Sequence, residues 1–286
     1  MDKPVGPTSH DVVARVRRVL RIRAVGHTGT LDPFASGLLV LLVGRATRLA
    51  RFVEQQAKRY VATARLGQAT TTDDLTGEPV DEAGRRASEP PSRQAVEDAL
   101  RSFLGPQRQR PPSFSAKRLD GERSYARARR GEAVAPAEVT IVVHGMELLG
   151  YDYPDVRFRT TVSPGTYVRA LARDLGTRLG TTAHLRELRR ETIGPLRVED
   201  AVPLEDIAPG AVIPPLAVLG HLGTLALSED AARAVAHGQA VAVPPAGVQC
   251  GESDAIAAVA PGERLVAVGR VNEERFQPEV VLETPD

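Results

Sequence analysis

Asp32 is the first candidate for covalent chemistry in this sequence. It follows a segment dense in glycine and hydroxyl residues, Gly26-His27-Thr28-Gly29-Thr30-Leu31, and it precedes Pro33. A carboxylate held on a rigid loop can act as a nucleophile or can stabilise a developing charge. The same residues also fit an Asx-Pro turn, in which the carboxylate only accepts hydrogen bonds from the nearby backbone. From this segment alone the turn is the simpler interpretation.

Metal and phosphate-loop chemistry find no support in the sequence. The six histidines and the one cysteine, Cys250, show no close metal-ligand spacing, and a single cysteine forms no internal disulfide. No Gly-x-x-x-x-Gly-Lys-Ser/Thr loop is present to cradle a nucleotide phosphate. The sequence therefore predicts a protein without a metal site.

Length and hydrophobicity indicate a globular protein. The chain has 286 residues, 42% of them apolar, enough for one large domain and a smaller one. Its longest apolar run, 37–43, is far shorter than the roughly 20 residues that a membrane span needs, and the first residues do not resemble a secretory signal. We expect a cytoplasmic protein that does not bind membranes.

Charge is distributed unevenly along the chain. Residues 211–286 hold four basic and ten acidic side chains, whereas the formal net charge of the whole chain is +1, so the rest is basic. The segment 108–132 concentrates eight cations: Arg108, Arg110, Lys117, Arg118, Arg123, Arg127, Arg129 and Arg130. A basic body suits a polyanion such as nucleic acid, although a solvated basic face is the alternative.

Periodicity and capping signals predict the elements that position these residues. Helices are predicted at about 8–22, 46–56, 92–104, 166–179, 182–190 and 228–236. Strands are predicted at 37–43, 58–66, 139–143 and 156–162, with a surface connection at 85–93. The chain becomes proline-rich near 203–215, which predicts two domains, 1–210 and a small β-rich domain at 215–286.

Eight segments in order resemble the TruB family of bacterial tRNA pseudouridine-55 synthases. The catalytic motif of that family is similar to residues 26–33, and seven further segments match in the same order. These are Lys3 to Ser9, Lys58-Arg59-Tyr60, Leu66 to Gly77, Pro111 to Arg127, Gly165-Thr166-Tyr167-Val168-Arg169, Asp174-Leu175-Gly176 and Leu188-Arg189-Arg190. Any one segment would be weak, but eight in order are specific.

The resemblance implies an α+β chain with the pseudouridine synthase fold, a central mixed sheet with flanking helices. Residues 108–132 would form the RNA-binding insertion. The segment 215–286 looks like the PUA-type RNA-binding module of the family, although the match is looser and the acidic balance there puts RNA binding in doubt.

The implied reaction is the isomerisation of uridine to pseudouridine at position 55 in the T loop of tRNA. The N1–C1′ bond breaks and the base rejoins through C5, so no cofactor is needed. The family places its carboxylate at the position of Asp32. Attack on C1′, attack on C6 and elimination to a glycal all stay open at this point.

The resemblance also assigns roles around Asp32. Arg169 would keep the carboxylate ionised, because a guanidinium nearby lowers an aspartate pKa. Tyr60 would lie against the base and assist loss of the C5 proton, Leu188 would pack on the other face of the base, and His27 would fill the space left by the flipped nucleotide. Further substrate contacts are implied for Lys3, Thr30, Lys117 and Tyr167. Each of these residues also has a simpler interpretation from its own sequence context. Tyr60 and Leu188 fit core positions, and His27 fits a structural histidine. Arg169 fits a solvated arginine on an amphipathic helix.

Partners follow from the same resemblance. We expect a monomer that binds the T arm of tRNA without a guide RNA. A binding function is the alternative from a different class: an RNA chaperone that opens and refolds tRNA. A synthase working within a guide-RNA complex is the third possibility.

Overall fold

The structure is a computed structural model that describes residues 1–80, 89–113, 137–244, 247–249, 251 and 253–283, with the backbone of 118–119 and 122–123. The predicted connection at 85–93 lies partly outside these residues. Most of the basic insertion, including Lys117, lies outside them.

Five α-helices are present in the described part of the chain. They are α1 (Ser9–Leu20), α2 (Ala50–Glu54), α3 (Arg93–Arg101), α4 (Val168–Arg178) and α5 (Glu229–Ala236). Short 3-10 helices are Gly44–Leu49, Val198–Asp200, Pro209–Ala211 and Pro215–Val218.

Strands account for most of the remaining regular structure. Up to residue 197 they are β1 (Asp2–Lys3), β2 (Val25–Thr28), β3 (Ser36–Leu38), β4 (Val40–Val43), β5 (Lys58–Leu66), β6 (Ala69–Thr70), β7 (Pro79–Val80), β8 (Gly105–Gln109), β9 (Arg118–Leu119), β10 (Glu122–Arg123), β11 (Val139–Asp152), β12 (Asp155–Val162), β13 (Ala183–Ile193) and β14 (Leu196–Arg197). The strands after residue 197 are β15 (Leu222–Ala226), β16 (Val241–Ala242), β17 (Val248–Gln249), β18 (Ser253–Ala260), β19 (Arg264–Asn272) and β20 (Arg275–Val281).

The first sheet has the order β1-β3-β13-β5-β12-β11-β8, with β14 paired to β13. Its pairs are antiparallel except β3 with β13, which is parallel, so the sheet is mixed. Helix α4 packs against β13 and β5, and α3 packs against β11. The predicted α+β class with a mixed sheet and flanking helices is confirmed.

Helix α1 begins where its sequence predicts. The Thr8 hydroxyl accepts a hydrogen bond from the Asp11 backbone N–H, and the Asp11 carboxylate accepts one from the Thr8 backbone N–H, which forms a capping box. Val12, Val13 and Val16 turn to the core because they share one face of the helix. The predicted helices at 92–104, 166–179 and 228–236 are confirmed within a few residues at each end, as are the strands at 58–66 and 156–162.

The segment 37–56 differs from its prediction. The single strand expected at 37–43 is two strands: the chain leaves β3 at Leu39, whose N–H donates to the carbonyl of Met1, and continues as β4, which pairs with β2 in a separate two-stranded sheet. The helix expected at 46–56 is a 3-10 helix followed by the short α2. The strand expected at 139–143 runs on to Asp152.

The helix predicted at 182–190 is wrong, since this segment is the central strand β13. Register shifts lie between Leu185 and Glu187 and between Arg190 and Thr192. Each bulge inserts one extra residue and breaks the alternation of period two. Buried Leu185 and Leu188 therefore stand three residues apart, which is the spacing of a helix face.

A second sheet, with the order β16-β20-β19-β18-β15-β17, contains residues from 222 onwards and carries α5. One apolar cluster joins the two sheets: Leu49, Phe52 and Val53 from the first unit pack in it with Val268 and Leu282 from the second. No helix among the described residues is long and apolar enough to cross a membrane.

Candidate active site

The loop that carries Asp32 is fixed to the start of the chain. The Ser9 hydroxyl, at the first turn of α1, donates to the Leu31 carbonyl and accepts from the Leu31 N–H, at 3.0 and 2.9 Å. The ammonium of Lys3 is buried and donates to the carbonyls of Pro4 and Pro7 at 2.8 and 2.9 Å, with that of Pro33 at 3.5 Å. These contacts place the residues on both sides of Asp32.

Arg190 closes the same loop from β13. Its Nη2 donates to the Gly29 carbonyl at 2.9 Å, and its Nε donates to the Leu38 carbonyl at 2.6 Å. Gly37 pairs with Arg190 across the parallel β3–β13 ladder, where a Cβ at residue 37 would stand 2.2 Å from the Arg190 carbonyl oxygen. Only glycine allows this approach. The buried Arg190 guanidinium therefore holds both ends of the Asp32 loop.

Arg169, on the first turn of α4, forms an ion pair with Asp32. Its Nε lies 3.0 Å from Asp32 Oδ2, and its Nη2 lies 3.4 Å from Asp32 Oδ1. The same guanidinium lies 3.3 Å from Asp74 Oδ2 and donates to the Thr72 carbonyl at 3.0 Å. The Arg169 side chain is 7% exposed, that of Asp74 5% and that of Asp32 35%. Asp32 is thus the end of this network that solvent or substrate can reach.

Asp74 is itself fixed by the loop after β6. Its Oδ1 accepts from the Thr72 hydroxyl at 2.7 Å and from the Thr76 N–H and hydroxyl at 2.9 and 2.5 Å. This turn orients the other carboxylate oxygen toward Arg169. Asp74 lies within the segment Leu66 to Gly77, which resembles the TruB family, but no role is predicted for it from the sequence. The threonines that flank it suit an Asx turn and are the local signal for this fixed carboxylate.

Burial raises the pKa of Asp32 above its ordinary value. Arg169 works in the opposite direction, the Asp74 carboxylate raises the pKa further, and Lys3 lowers it. Burial also lowers the pKa of Lys3 to about 8, which the carboxylate of Asp32 partly offsets. Arg169 thus opposes the effect of burial on Asp32, and burial is the larger of the two influences.

Tyr60 and Leu188 lie on the adjacent strands β5 and β13. Tyr60 is opposite Arg190 in the antiparallel register, and Leu188 is opposite Ala62, so the two side chains share one face of the sheet. The Arg190 guanidinium carbon is 6.0 Å from the centre of the Tyr60 ring. Both side chains are less than a tenth exposed. Tyr60 is therefore next to the residue that holds the Asp32 loop.

Known families match this chain along much of its length. The model of the TruB family pseudouridylate synthase N-terminal domain matches residues 17–168, more than half of the chain, and that of the tRNA pseudouridylate synthase B C-terminal domain matches 169–213. The chain belongs to the TruB family.

Relatives in the TruB family match over nearly the whole length. The tRNA pseudouridine synthase B of Thermobifida fusca is 43% identical, covering 99% of this chain and 97% of the relative. That of Geobacter sulfurreducens is 44% identical over 83% of this chain and 80% of the relative. A chain from the structure of an H/ACA ribonucleoprotein bound to a substrate RNA containing 2′-deoxyuridine is 27% identical, with a TM-score of 0.76, covering 100% of this chain and 84% of that one.

The boundary between the two TruB-family models does not coincide with a structural boundary. It falls between Val168 and Arg169, at the start of α4, and the second model includes β13 of the first sheet. Arg169 and Arg190 are therefore matched by a different model from Asp32, although all three belong to one site.

The other residues predicted to contact substrate lie in different environments. Thr30 is exposed beside Asp32, and His27 is half-buried on β2, where burial lowers its pKa and its Nδ1 has no hydrogen-bond partner in the described part of the chain. Tyr167 is half-buried at the start of α4. Lys3 is fully buried against carbonyls, a position that supports the loop. Lys117 lies outside the described residues.

Metal binding has no candidate in the described ranges. No group of three or more His, Cys, Asp or Glu side chains there could hold a metal ion.

Proposed function

We propose that this TruB-family chain isomerises uridine to pseudouridine at position 55 in the T loop of tRNA, with the carboxylate of Asp32 as nucleophile. The observation that carries the proposal is the Asp32–Arg169–Asp74 network, in which only Asp32 is substantially exposed. Its relatives named tRNA pseudouridine synthase B, 43% identical over almost the entire chain, support the substrate and the reaction.

The network suits a carboxylate nucleophile. Asp32 must be ionised to attack, and an RNA base covering it removes water and raises its pKa further. The Arg169 guanidinium, with its Nε 3.0 Å from Asp32 Oδ2, favours the charged form. Because Asp74 and the Thr72 carbonyl hold Arg169, this counter-charge is in place before substrate binds, and it costs little reorganisation during the reaction.

The reaction requires a flipped nucleotide. Uridine leaves its stack in the T loop, which costs a few kcal/mol, and its base lies against Tyr60 and Leu188 while Asp32 acts. The N1–C1′ bond breaks, the base turns, and a C5–C1′ bond forms; Tyr60 assists loss of the proton from C5, and N1 gains one. Isomerisation involves no net redox change, so the proposal includes no cofactor.

The remaining parts of the proposal concern the whole chain. Residues 1–210 form the catalytic domain with the RNA-binding insertion at 108–132, and 215–286 form a PUA-like RNA-binding domain. His27 takes the place of the flipped nucleotide, and Thr30, Lys117 and Tyr167 contact the RNA. We expect the protein to act in the cytoplasm as a monomer without a guide RNA.

Mapping pseudouridine in an unmodified tRNA transcript tests the proposal. Wild-type protein, with no guide RNA and no added cofactor, is expected to form pseudouridine at position 55 only. Asp32→Asn should form none while its tRNA affinity stays within about threefold, because the substitution removes one charge from a largely neutralised network.

Asp73→Asn is the matched control. Asp73 precedes Asp74, but its carboxylate pairs with Arg173 at 2.8 Å, and asparagine tolerates its left-handed backbone at φ 59. This variant should keep activity. Turnover by Asp32→Asn near the wild-type rate, or no pseudouridine from the wild type, would contradict the proposal.

A further inference from the structure

The arginines of α1 and the turn after it differ from most others in this molecule. Most described arginines have a carboxylate within 4 Å; on α3, for example, Arg93 is 3.1 Å from Glu97 and Arg101 is 3.3 Å from Asp98. Among the exposed arginines that have no such partner within the described residues, four lie on α1 and the turn after it: Arg15, Arg18, Arg21 and Arg23.

The segment that carries these arginines contains little acid to compensate their charge. Between residues 9 and 23 the only acidic side chain is Asp11, and the capping box with Thr8 holds it at the opposite end of α1. Arg17, on the same helix, donates to the Val25 carbonyl and so fixes the helix to β2. The surface made by the four arginines is therefore strongly positive, whereas α3 is close to neutral.

The position of this surface relates it to Asp32. The first turn of α1 contacts the catalytic loop through Ser9 and Leu31, and the 12-residue helix extends about 18 Å from there. At the other end, Ala24 accepts from Gly44, and the neighbouring Arg45 donates to the Leu282 carbonyl of the second unit. The four arginines therefore lie along the path from the catalytic loop to the C-terminal sheet.

We propose that Arg15, Arg18, Arg21 and Arg23 form a phosphate-binding surface for the substrate RNA outside the loop that enters the active site. This inference rests on the proposed function for the identity of the RNA. Guanidinium groups contact phosphate oxygens strongly, and unpaired ones lose no protein partner when they do so. Residues 9–23 include no Phe, Tyr or Trp on which a base could stack, so we expect the four guanidinium groups to contact backbone phosphates, which carry no sequence information.

The test compares two triple variants with the same change in net charge. Arg15→Gln/Arg18→Gln/Arg23→Gln removes three charges from the surface; Arg21 is kept because it has the left-handed C-cap backbone at φ 55. Arg93→Gln/Arg101→Gln/Arg233→Gln removes three exposed helix arginines that are paired with acids. Circular dichroism and thermal melting establish that both variants are folded.

The measured quantity is Kd for an unmodified tRNA transcript between 50 and 200 mM salt. Each phosphate contact makes the negative slope of log K against log salt steeper by about 0.7 to 0.9. The slope of the α1 variant should therefore be shallower than that of the wild type by roughly 2 to 3. At low salt this variant should bind about ten- to a hundredfold more weakly. The paired-arginine variant should keep the wild-type slope and affinity.

Two results would overturn the proposal that this surface binds phosphate. One is a wild-type salt slope and affinity in the α1 variant. The other is an equal loss of tRNA affinity in both variants, which would assign the effect to net charge. Pseudouridine formation by the wild type tests the proposed function separately from tRNA binding. If the wild type binds tRNA but forms no pseudouridine, the function is wrong, while the comparison of slopes still decides whether this surface binds RNA.

Discussion

Burial disfavours the charged form of the Asp32 carboxylate. The Arg169 ion pair and the ammonium of Lys3 oppose that effect, and the carboxylate of Asp74 adds to it. The balance leaves the pKa of Asp32 above the ordinary value, so this residue favours the folded state less when it is charged. A reactive carboxylate and a stable fold therefore make opposite demands on this residue.

Asp32→Asn is expected to be at least as stable as the wild type at pH 7. Because the pKa of Asp32 is higher in the folded state, its ionised form destabilises that state at neutral pH, and the effect disappears as the pH falls below the unfolded-state pKa. Urea unfolding at pH 7 and at about pH 3 should show the advantage of the variant at the higher pH only. A variant less stable than the wild type at pH 7 would contradict this account.

Asp74→Asn should reduce kcat about 10- to 100-fold, because a displacement of about 1 Å in a catalytic group can cost 100-fold and Asp74 positions Arg169. The substitution also removes a charge that raises the pKa of Asp32. Activity falls as the pH drops through that pKa, so the acid limb of the rate profile should move to lower pH. An unshifted acid limb in single-turnover rates would show that Asp74 does not act on Asp32 electrostatically.

At the scale of elements, β13 connects the sheet to the catalytic loop. Between its two bulges the strand alternates regularly, so consecutive arginines face opposite sides of the sheet. Arg189 is exposed and pairs with Asp2 at 2.7 Å, whereas Arg190 is buried and holds both ends of the loop through Gly29 and Leu38. Strand β13 therefore both fixes the position of the Asp32 loop through Arg190 and pairs with β3 and β5 within the first sheet.

Arg190→Met should destabilise the fold by about 2 to 5 kcal/mol, because it leaves two carbonyls of the Asp32 loop without a donor and each such loss costs about 1 to 3 kcal/mol. Arg189→Met, the neighbouring control, should cost less than about 1 kcal/mol, as exposed ion pairs do. Hydrogen exchange should rise in residues 29–38 of the first variant only. Equal effects of the two substitutions on urea unfolding would disprove the role of Arg190.

At the scale of the whole molecule, one apolar cluster connects the two sheets. Leu49 and Phe52 from the first unit pack in the same cluster as Val268 and Leu282 from the second, and Arg45 and Arg48 donate to carbonyls of residues 282 and 281. Apolar surface buried between units couples their stability, so neither can unfold without exposing the other.

Leu49→Ala should therefore destabilise both units together. Leu49 is fully buried, and a leucine-to-alanine change in a core costs about 2 to 5 kcal/mol. Hydrogen exchange is expected to rise in β5 and in β19 by the same factor, with a single unfolding transition by circular dichroism. Retained protection in β19, with loss in β5 alone, would show two independent units.

Features that depend on neighbouring residues could be predicted from the sequence. The capping box of α1, the alternation along β5 and the ordered motifs around Asp32, Tyr60 and Arg169 are all visible in the chain, because each rests on neighbours within a few residues. The family and the fold class follow from them.

Features that depend on residues far apart in the chain become visible in the folded structure. Bulges hide the strand period of β13, so its sequence favours a helix, and its pairing with β3 and β5 overrides that preference. Asp74 joins Asp32 only because Arg169, 95 residues further along the chain, bridges the two carboxylates. Lys3 supports the loop because folding surrounds its ammonium with carbonyls. Desolvation and long-range pairing arise only on folding, and no local pattern records them.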